Sequence, residues 1–220
     1  MSSARRYDAS ERLRVHLSQF DWSGQTPARR AALEAFLRLS NAHGFTTVTM
    51  RMLATELTIK APSLYAYFPG GRDEIVAESL RWHFSKFGYA ILAAVDRTET
   101  AAEFWDAMVR EHLTRQVTLP ESDLWDLLVA TDAVVPSLPA GLHDQVDSWV
   151  AYYEDMYRAA AIDMGIDADV DEQIRLVLTV VEGARRWCSP DTLPDAVARA
   201  IQVSHSLLRL PSADSSRVGA

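Results

Sequence analysis

Apolar residues recur along most of the chain at intervals of three and four, which places them on one face of an α-helix. Proline is unfavourable inside helices, and Pro120, Pro136, Pro139, Pro190 and Pro194 interrupt this pattern. The segments between the breaks predict helices over residues 27–41, 72–95, 101–118, 121–133, 139–164, 170–188 and 194–209. With two short helices between residues 49 and 68, the pattern predicts an all-α protein of about nine helices, and a shorter tenth over residues 10–20.

The two short helices lie on either side of a tight break. Thr49 is a favourable N-cap, because its hydroxyl can accept a hydrogen bond from an unpaired amide of the first turn. Thr58 and Ile59 interrupt the apolar spacing, and the second helix begins near Lys60, with Pro62 in its first turn. The inner stripes comprise Met50, Leu53, Ala54 and Leu57 in the first helix and Leu64 and Phe68 in the second. Two helices joined in this way predict a helix-turn-helix, whose second helix fits the major groove of DNA.

The residues of this stretch resemble the N-terminal DNA-binding domain of the TetR family of bacterial repressors. The matching features, in order, are Gly44-Phe45, Thr49-Met50-Arg51, Leu53-Ala54, Leu64-Tyr65-x-Tyr67-Phe68 and a short loop into a long helix. The resemblance extends over about residues 27–80. It implies an N-terminal three-helix helix-turn-helix domain followed by a C-terminal helical ligand-binding and dimerisation domain.

Two positions depart from that family pattern. Thr58 occupies the turn position that is usually glycine, so its backbone must avoid the left-handed region or accept strain there. Ala61 occupies the place of a basic residue near the start of the recognition helix, and Lys60 lies one position earlier. The first departure concerns the geometry of the turn, and the second concerns which bases are read.

Four segments follow from the pattern and the resemblance together. We assign residues 1–25 to an N-terminal extension with a short helix and 26–70 to the helix-turn-helix domain. Residues 71–210 form the helical ligand-binding and dimerisation domain, and residues 211–220 are expected to be a disordered tail.

Charge is distributed unevenly between these segments. The net charge is −8, but residues 26–70 contain five basic and two acidic residues and carry +3. Residues 1–25 carry +1, which leaves −12 from residue 71 onward. A basic head on an acidic protein favours binding of the head to a polyanion. The alternative is that the asymmetry has no functional meaning, since such asymmetry is common.

Several classes of site and location are not indicated. Cys188 is the single cysteine, so no intramolecular disulfide is possible, and a buried structural thiol is the simplest interpretation. The first residues lack the apolar core of a signal peptide, and no apolar run approaches the ~20 residues of a membrane span. We expect a soluble, cytoplasmic protein with no membrane partner. The sequence has no motif of a hydrolase, phosphate-binding loop or dinucleotide site and no histidine cluster with ligand spacing, so we expect no catalytic residues, cofactor or metal.

DNA contacts are expected from two sets of residues. Hydroxyls, cations and helix N-termini bind phosphates, and the candidates are Thr49, Arg51, Tyr67 and Arg72, with Arg29 or Arg30 at the edge. The start of the recognition helix meets the bases, and the candidates are Lys60, Ala61, Pro62, Ser63 and Tyr65. Two alternatives stay open: Tyr65 packs inside, and Pro62 serves only to start the helix.

Aromatic residues are frequent in the acidic segment, and a helical body rich in them can enclose a small apolar or aromatic ligand. The individual candidates are Trp105, Met108, His112, Trp125, Trp149 and Tyr153. The alternative is that this set is ordinary core, with His112 a satisfied core or surface residue. The resemblance implies an inducer pocket in this domain.

The last two helices are apolar over more than one face, which is typical of a four-helix interface between two copies. The candidates are Ile174, Val177, Leu178, Val181, Val197, Ile201, Ser204 and Leu208. The alternative is that the pair closes the core of one chain. Together these expectations describe a homodimeric repressor that binds a pseudo-palindromic double-stranded operator and is released by an unidentified small-molecule effector. The competing interpretations are an activator or a regulator that responds to a partner protein, and a helical ligand-binding or enzyme-like protein that no longer binds DNA.

Overall fold

The computed structural model describes residues 3–20, 22–119, 122, 138, 141–166 and 170–211. Within these ranges the chain forms nine α-helices and three 3-10 turns, with no β-strand, which confirms the all-α prediction. The helices are α1 (Ser3–Ser18), α2 (Pro27–His43), α3 (Met50–Glu56), α4 (Ala61–Tyr67), α5 (Gly71–Val95), α6 (Ala101–Thr118), α7 (His143–Asp163), α8 (Asp171–Glu182) and α9 (Leu193–Leu207). The 3-10 turns are Phe45–Thr47, Ala184–Arg186 and Pro190–Thr192. The helix predicted over 121–133 and the tail predicted from 211 lie almost wholly outside the described residues.

Capping residues close in sequence set the ends of α2 and α6. The Thr26 hydroxyl accepts from the Arg29 amide at the start of α2, and Gly44 follows its last turn with a φ of +86°. At the start of α6, the Thr100 hydroxyl accepts from the Glu103 amide while the Glu103 carboxylate accepts from the Thr100 amide. Such a capping box satisfies two amides reciprocally, and α6 spans the predicted residues 101–118.

Three predicted helices differ from the observed ones. The front helix begins at Ser3 instead of residue 10 and ends at Ser18, before Phe20. The helix predicted over 139–164 begins only at His143. The helix predicted over 170–188 ends at Glu182, because the chain changes to a 3-10 turn after Gly183.

Packing divides the chain into two compact units. The head unit contains residues 18–87 and 120–149, and the body unit contains residues 1–17, 88–119 and 150–220. The segment boundaries expected at residues 25, 70 and 210 concern functional domains and remain predictions. None of the helices in the described ranges combines the length and apolar character needed to cross a membrane.

The front helix α1 is an integral part of the body unit. Leu13 and Leu17 are fully buried, and a Cβ atom at Gly88 would lie 2.8 Å from Cδ1 of Leu17. The four arginines of α1 all form ion pairs: Arg5 and Arg6 with Asp163, Arg12 with Asp155, and Arg14 with Glu11 and Asp96. The pairs of Arg5 and Arg6 with Asp163 hold the part of the helix that precedes residue 10, which its local sequence does not predict.

Candidate functional site

The helix-turn-helix is closed by backbone hydrogen bonds at its turn. The Thr49 hydroxyl accepts from the Met52 amide, 3.2 Å away, and caps α3 as predicted. At the other end of α3 the Ile59 amide donates to the Ala54 carbonyl, 2.9 Å, and the Thr58 amide to the Thr55 carbonyl, 3.1 Å. This pair of bonds is the Schellman motif, which places one residue in the left-handed region. That residue is Thr58, with a φ of +56°.

The inner faces of the two helices are buried. Leu53, Ala54, Leu64 and Phe68 are almost inaccessible to solvent, as the apolar spacing predicts. Beside them Phe36 of α2 meets Phe45 edge to face, with ring centroids 5.6 Å apart. Burial of these side chains leaves the remaining residues of α4 on the solvent side.

The outer face of α4 consists of polar, small and phenolic side chains. Lys60, Pro62, Ser63, Tyr65 and Tyr67 are exposed, and Ala61 is half-buried. Tyr65 is 50% exposed and Tyr67 37% exposed, so Tyr65 does not pack inside. Thr49 and Arg51 at the start of α3 are also exposed. The side chains predicted to read bases are therefore accessible.

Arg72 is engaged by the protein itself. Its Nε donates to the Val48 carbonyl, 2.9 Å, and its Nη2 to the Phe45 carbonyl, 2.7 Å. Its guanidinium also lies over the Phe45 ring, 5.3 Å from the centroid. Arg72 thus anchors the segment before α3 to the start of α5.

Arg29 has a similar internal role. Its guanidinium lies 4.3 Å from the centroid of Phe68, donates to the Tyr67 carbonyl and is within 3.5 Å of a Glu74 carboxylate oxygen. Its neighbour Arg30 is exposed and has no ion pair with any residue that the structure describes. The sequence could not separate these two arginines, because only one of them meets residues distant in the chain.

A hydrogen-bonded aromatic chain lies in the core of the body unit. The Tyr153 hydroxyl is 3.1 Å from His112 Nδ1 and 3.3 Å from the Tyr157 hydroxyl. Tyr157 meets Trp105 edge to face at 4.7 Å, and Trp105 Nε1 donates to the Ser204 hydroxyl at 2.8 Å. Trp105, His112 and Tyr153 were ligand candidates, whereas Tyr157 was missed although it follows Tyr153 by one helical turn.

These groups are electrically neutral near physiological pH. Burial, assisted by the charge of Arg115, lowers the pKa of His112 to about 3. Burial also raises the pKa values of Tyr153 and Tyr157, so both keep their protons. The core therefore offers hydrogen-bonding groups without a formal charge.

The three remaining ligand candidates lie in the body unit, in the head unit and outside the described residues. Met108 is fully buried in the body unit. Trp149 belongs to the head unit, where its ring stacks on Phe84 with centroids 5.0 Å apart. Trp125 lies outside the described residues.

The residues predicted at a dimer interface are mostly buried within the single chain. This holds for Ile174, Val177, Leu178, Val181, Val197, Ser204 and Leu208, while Ile201 is half-buried. The same helices leave other apolar side chains accessible, notably Leu176, which is 42% exposed. Trp187, just beyond α8, is 41% exposed. A single chain shows where these side chains lie, and their part in dimerisation stays a prediction.

No group of three or more histidine, cysteine or acidic side chains in the described ranges is arranged to hold a metal ion. Cys188 is half-buried, and its thiol is 3.3 Å from the Ser189 carbonyl.

Residues 32–78, from α2 to the first part of α5, match the family model of bacterial regulatory proteins of the tetR family. The HTH-type transcriptional regulator BetI of Brucella anthropi is 32% identical over 81 residues. That alignment covers 36% of this chain and 41% of the relative. The family match thus lies on the helix-turn-helix and the helices that flank it, and the chain spans about two fifths of the length of this relative.

Solved structures extend the likeness to most of the fold. A TetR transcription regulator from Haloarcula marismortui has a TM-score of 0.63 at 20% identity, over 82% of this chain and 95% of that one. AibR, solved in complex with isovaleryl coenzyme A and operator DNA, has a TM-score of 0.67 at 17% identity, over 80% of this chain and 96% of that one. The helix-turn-helix geometry and the family match agree: residues 32–78 are similar to bacterial regulatory proteins of the tetR family, and the chain shares the fold of the solved regulators.

Proposed function

We propose that the protein is a transcriptional repressor that binds a pseudo-palindromic DNA operator as a homodimer and is released by a small apolar or aromatic ligand. The observation that carries the proposal is the outer face of α4, where Lys60, Ser63 and Tyr65 are exposed opposite the buried Leu64 and Phe68. A helix held from one side and accessible on the other is suited to insertion into the major groove.

The contacts to DNA are assigned from the exposed residues. Lys60 and Ser63 can donate to base acceptors, and Ala61 and Pro62 suit a thymine methyl group. Thr49, Arg51 and Tyr67 contact phosphates, which fixes the register of the helix in the groove. Among the arginines of α2, we assign the phosphate contact to Arg30, because Arg29 is held by Phe68 and Glu74. Arg72 acts by holding the segment before α3 in place.

The dimer forms through α8 and α9. We assign the first contact with the partner to accessible side chains of these helices, Leu176, Val180 and Val203, and to Trp187 between them. The buried candidates form the layer beneath. Val180, Trp187 and Val203 line one cleft of about 420 Å³, together with Arg186 and Arg199. Contiguous apolar surface of this kind is typical of protein interfaces.

The ligand binds in the helical core around Trp105, Met108, His112 and Tyr153. These residues supply aromatic surface and neutral hydrogen-bonding groups, which suits an uncharged ligand. AibR, with its similar fold, was solved with both a small molecule and operator DNA, which supports a coupling of the two in this chain. To shift the ratio of operator-binding to non-binding molecules from 99:1 to 1:99, the ligand must bind the non-binding state more tightly by roughly 5.5 kcal/mol.

Selection of duplexes from a random pool by the full-length protein tests the DNA-binding part. We expect enrichment of an inverted repeat, with half-sites about one helical turn apart or somewhat more, ~34 Å. Lys60→Ala should relax the preference at one position of each half-site. Tyr67→Phe is the matched control, since loss of a phosphate contact weakens binding to all sequences alike. Failure to enrich any motif, or an unchanged profile for Lys60→Ala, would contradict the respective assignment.

A further inference from the structure

A network of polar and charged side chains extends through the head unit from α7 to the recognition helix α4. Its members are Gln145 of α7, Arg81, Glu78 and Glu74 of α5, and Arg29 of α2, and we call this set the head network. All five side chains are half-buried, and between 21% and 29% of each charged one is exposed. Solvent screens such pairs less than it screens fully exposed ones.

The network begins at Gln145, whose amide is bonded at both of its atoms. Its Nε2 donates to the Gly141 carbonyl at 3.0 Å, and its Oε1 accepts from Arg81 Nε at 2.9 Å. Arg81 Nη1 donates in turn to Glu78 Oε1, which is 3.2 Å away and three residues earlier on α5. Because acceptors on two helices hold Arg81, the position of Gln145 influences the position of the Glu78 carboxylate.

The other oxygen of Glu78 faces Arg29. Glu78 Oε2 lies 3.8 Å from Arg29 Nη2, and Glu74 Oε1 lies 3.5 Å from the same nitrogen. Arg29 Nη1 donates to the carbonyl of Tyr67, the last residue of α4, and its guanidinium lies 4.3 Å from the centroid of Phe68. Two carboxylates of α5 therefore hold the guanidinium that contacts the C-terminal end of the recognition helix.

The recognition helix depends on such contacts for its orientation. It has only seven residues, too few for a helix that is stable by itself. Glu74 adds a further contact at its C-terminal end, because Glu74 Oε2 accepts from the Gly70 amide at 2.8 Å. Arg29 and Glu74 together thus hold residues 67–70 against the first turns of α5.

We propose that Gln145, Arg81 and Glu78 position the recognition helix through Arg29, so that the position of α7 sets the DNA affinity of the head. Tyr153, which we assign to the ligand site, follows Gln145 by eight residues and lies on the same face of α7. A ligand that shifts α7 changes the contact of Gln145 with Arg81. The inference rests on the proposed function and adds a route by which the ligand regulates DNA binding.

Two substitutions of Gln145 separate this positioning role from a purely structural one. Gln145→Glu keeps an acceptor for Arg81 but loses the donor to Gly141, whereas Gln145→Leu loses both. A role confined to the turn before α7 is lost in both variants, and positioning through Arg81 is lost only in Gln145→Leu. Asp147→Leu, at an exposed position of the same helix, is the matched control.

Hydrogen exchange of the full-length protein without DNA is the first readout, on peptides that cover residues 64–71. The amides of Phe68 and Gly71 donate to the carbonyls of Leu64 and Phe68 at the end of α4. Their exchange should become about five-fold faster in Gln145→Leu, the effect of losing one ordinary hydrogen bond. Gln145→Glu and Asp147→Leu should exchange at the native rate. Glu78→Gln interrupts the network on α5 and should accelerate the same amides, which keeps the test valid if Gln145→Leu does not fold.

Binding to the inverted repeat selected from the random pool is the second readout. Gln145→Leu should weaken binding about five-fold, a typical coupling between sites, and leave the base preference unchanged. Combination with Glu78→Gln should add no further loss, since both substitutions interrupt the same network.

The two readouts separate failure of this proposal from failure of the proposed function. If the native protein binds no duplex, the proposed function fails, and the exchange data alone decide whether the head network positions α4. Native exchange rates in both Gln145→Leu and Glu78→Gln, equal acceleration in Gln145→Glu, or additive losses of affinity in the double variant would overturn the proposal.

Discussion

At the scale of single residues, burial decides what each polar side chain does. His112 and Tyr153 are buried and hydrogen-bonded to each other, and they remain uncharged. The guanidinium groups of Arg29 and Arg72 contact other residues of the head unit, whereas Arg30 and Arg51 are exposed. Residue type and position in the sequence suggest the same role for all four arginines. Only the contacts made by the folded chain separate structural from accessible cations.

The buried histidine predicts a specific dependence of stability on pH. In the unfolded chain the pKa of His112 is ~6.5, whereas in the folded protein it is lowered to about 3. Between these values the unfolded chain binds the additional proton, so acidification favours unfolding and stability rises with pH. The contribution of His112 at pH 5 should be about 2 kcal/mol smaller than at pH 7.

Urea unfolding of the native protein and of His112→Gln at the two pH values measures this contribution. Other groups titrate in both proteins, so the difference between them isolates His112. We expect the advantage of the native protein over the variant to shrink by about 2 kcal/mol on acidification. The same pH dependence in both proteins would show that the histidine is not held neutral by burial.

At the scale of elements, the turn of the helix-turn-helix contains a residue in an unfavourable conformation. Thr58 is the one non-glycine residue with a positive φ in the described ranges. A branched side chain in the left-handed region costs about 1 kcal/mol or more. The sequence left two possibilities for this position, and the structure shows that the backbone accepts the strain to complete the Schellman motif.

Thr58→Gly should therefore stabilise the protein. The expected net gain is about 0.5–1 kcal/mol, because glycine also raises the conformational entropy of the unfolded chain, which offsets part of the relieved strain. Thr55→Gly is the matched control, because Thr55 is also exposed but lies inside α3 and donates to the Arg51 carbonyl at 3.0 Å. That change should destabilise by several tenths of a kcal/mol, roughly the loss of helix propensity and a hydrogen bond. Equal destabilisation by both substitutions in denaturant unfolding would refute the assigned strain.

Element boundaries were predictable from sequence where local chemistry sets them. The caps at Thr26, Thr49 and Thr100 are local, and α2, α3 and α6 begin where the sequence places them. The start of α1 was not predictable, since Arg5 and Arg6 pair with Asp163, which is more than 150 residues away.

The candidate site was predictable to a similar extent. Helical spacing identified the buried Leu64 and Phe68 of α4 and hence its outer face. The partners of Trp105 and Arg29 could not be read from periodicity, because they lie on other helices or segments. The hydroxyl of Ser204, for example, accepts a hydrogen bond from Trp105 of another helix. Its place at a dimer interface stays a prediction.

At the scale of the whole molecule, the proposed function requires two DNA-binding heads in one assembly. Contacts of exposed cations with phosphates supply most of the non-specific affinity for DNA. The basic residues within the segment 26–70 provide one such set of cations in each chain. A dimer places two recognition helices on one operator, so the loss of dimerisation should reduce affinity even when each head is intact.

Val180→Arg tests this requirement, since Val180 is half-buried on the accessible side of α8. Introducing a charge there should convert the dimer to a monomer in sedimentation analysis and weaken operator binding by at least about ten-fold. Val15→Arg makes the same change at an exposed position of α1 and should alter neither property. A native protein that is monomeric at micromolar concentration, or a dimeric Val180→Arg variant, would contradict the assigned interface.

The most direct test of operator binding is a fluorescence-anisotropy titration of the full-length protein with the intergenic DNA that flanks its own gene. A random duplex of equal length is the control, and both are measured at two salt concentrations. The proposed function predicts tight binding to the intergenic DNA alone, weakened as salt rises because phosphate contacts release counterions. Absence of binding to either duplex at low salt would contradict it and favour a helical ligand-binding protein that no longer recognises DNA.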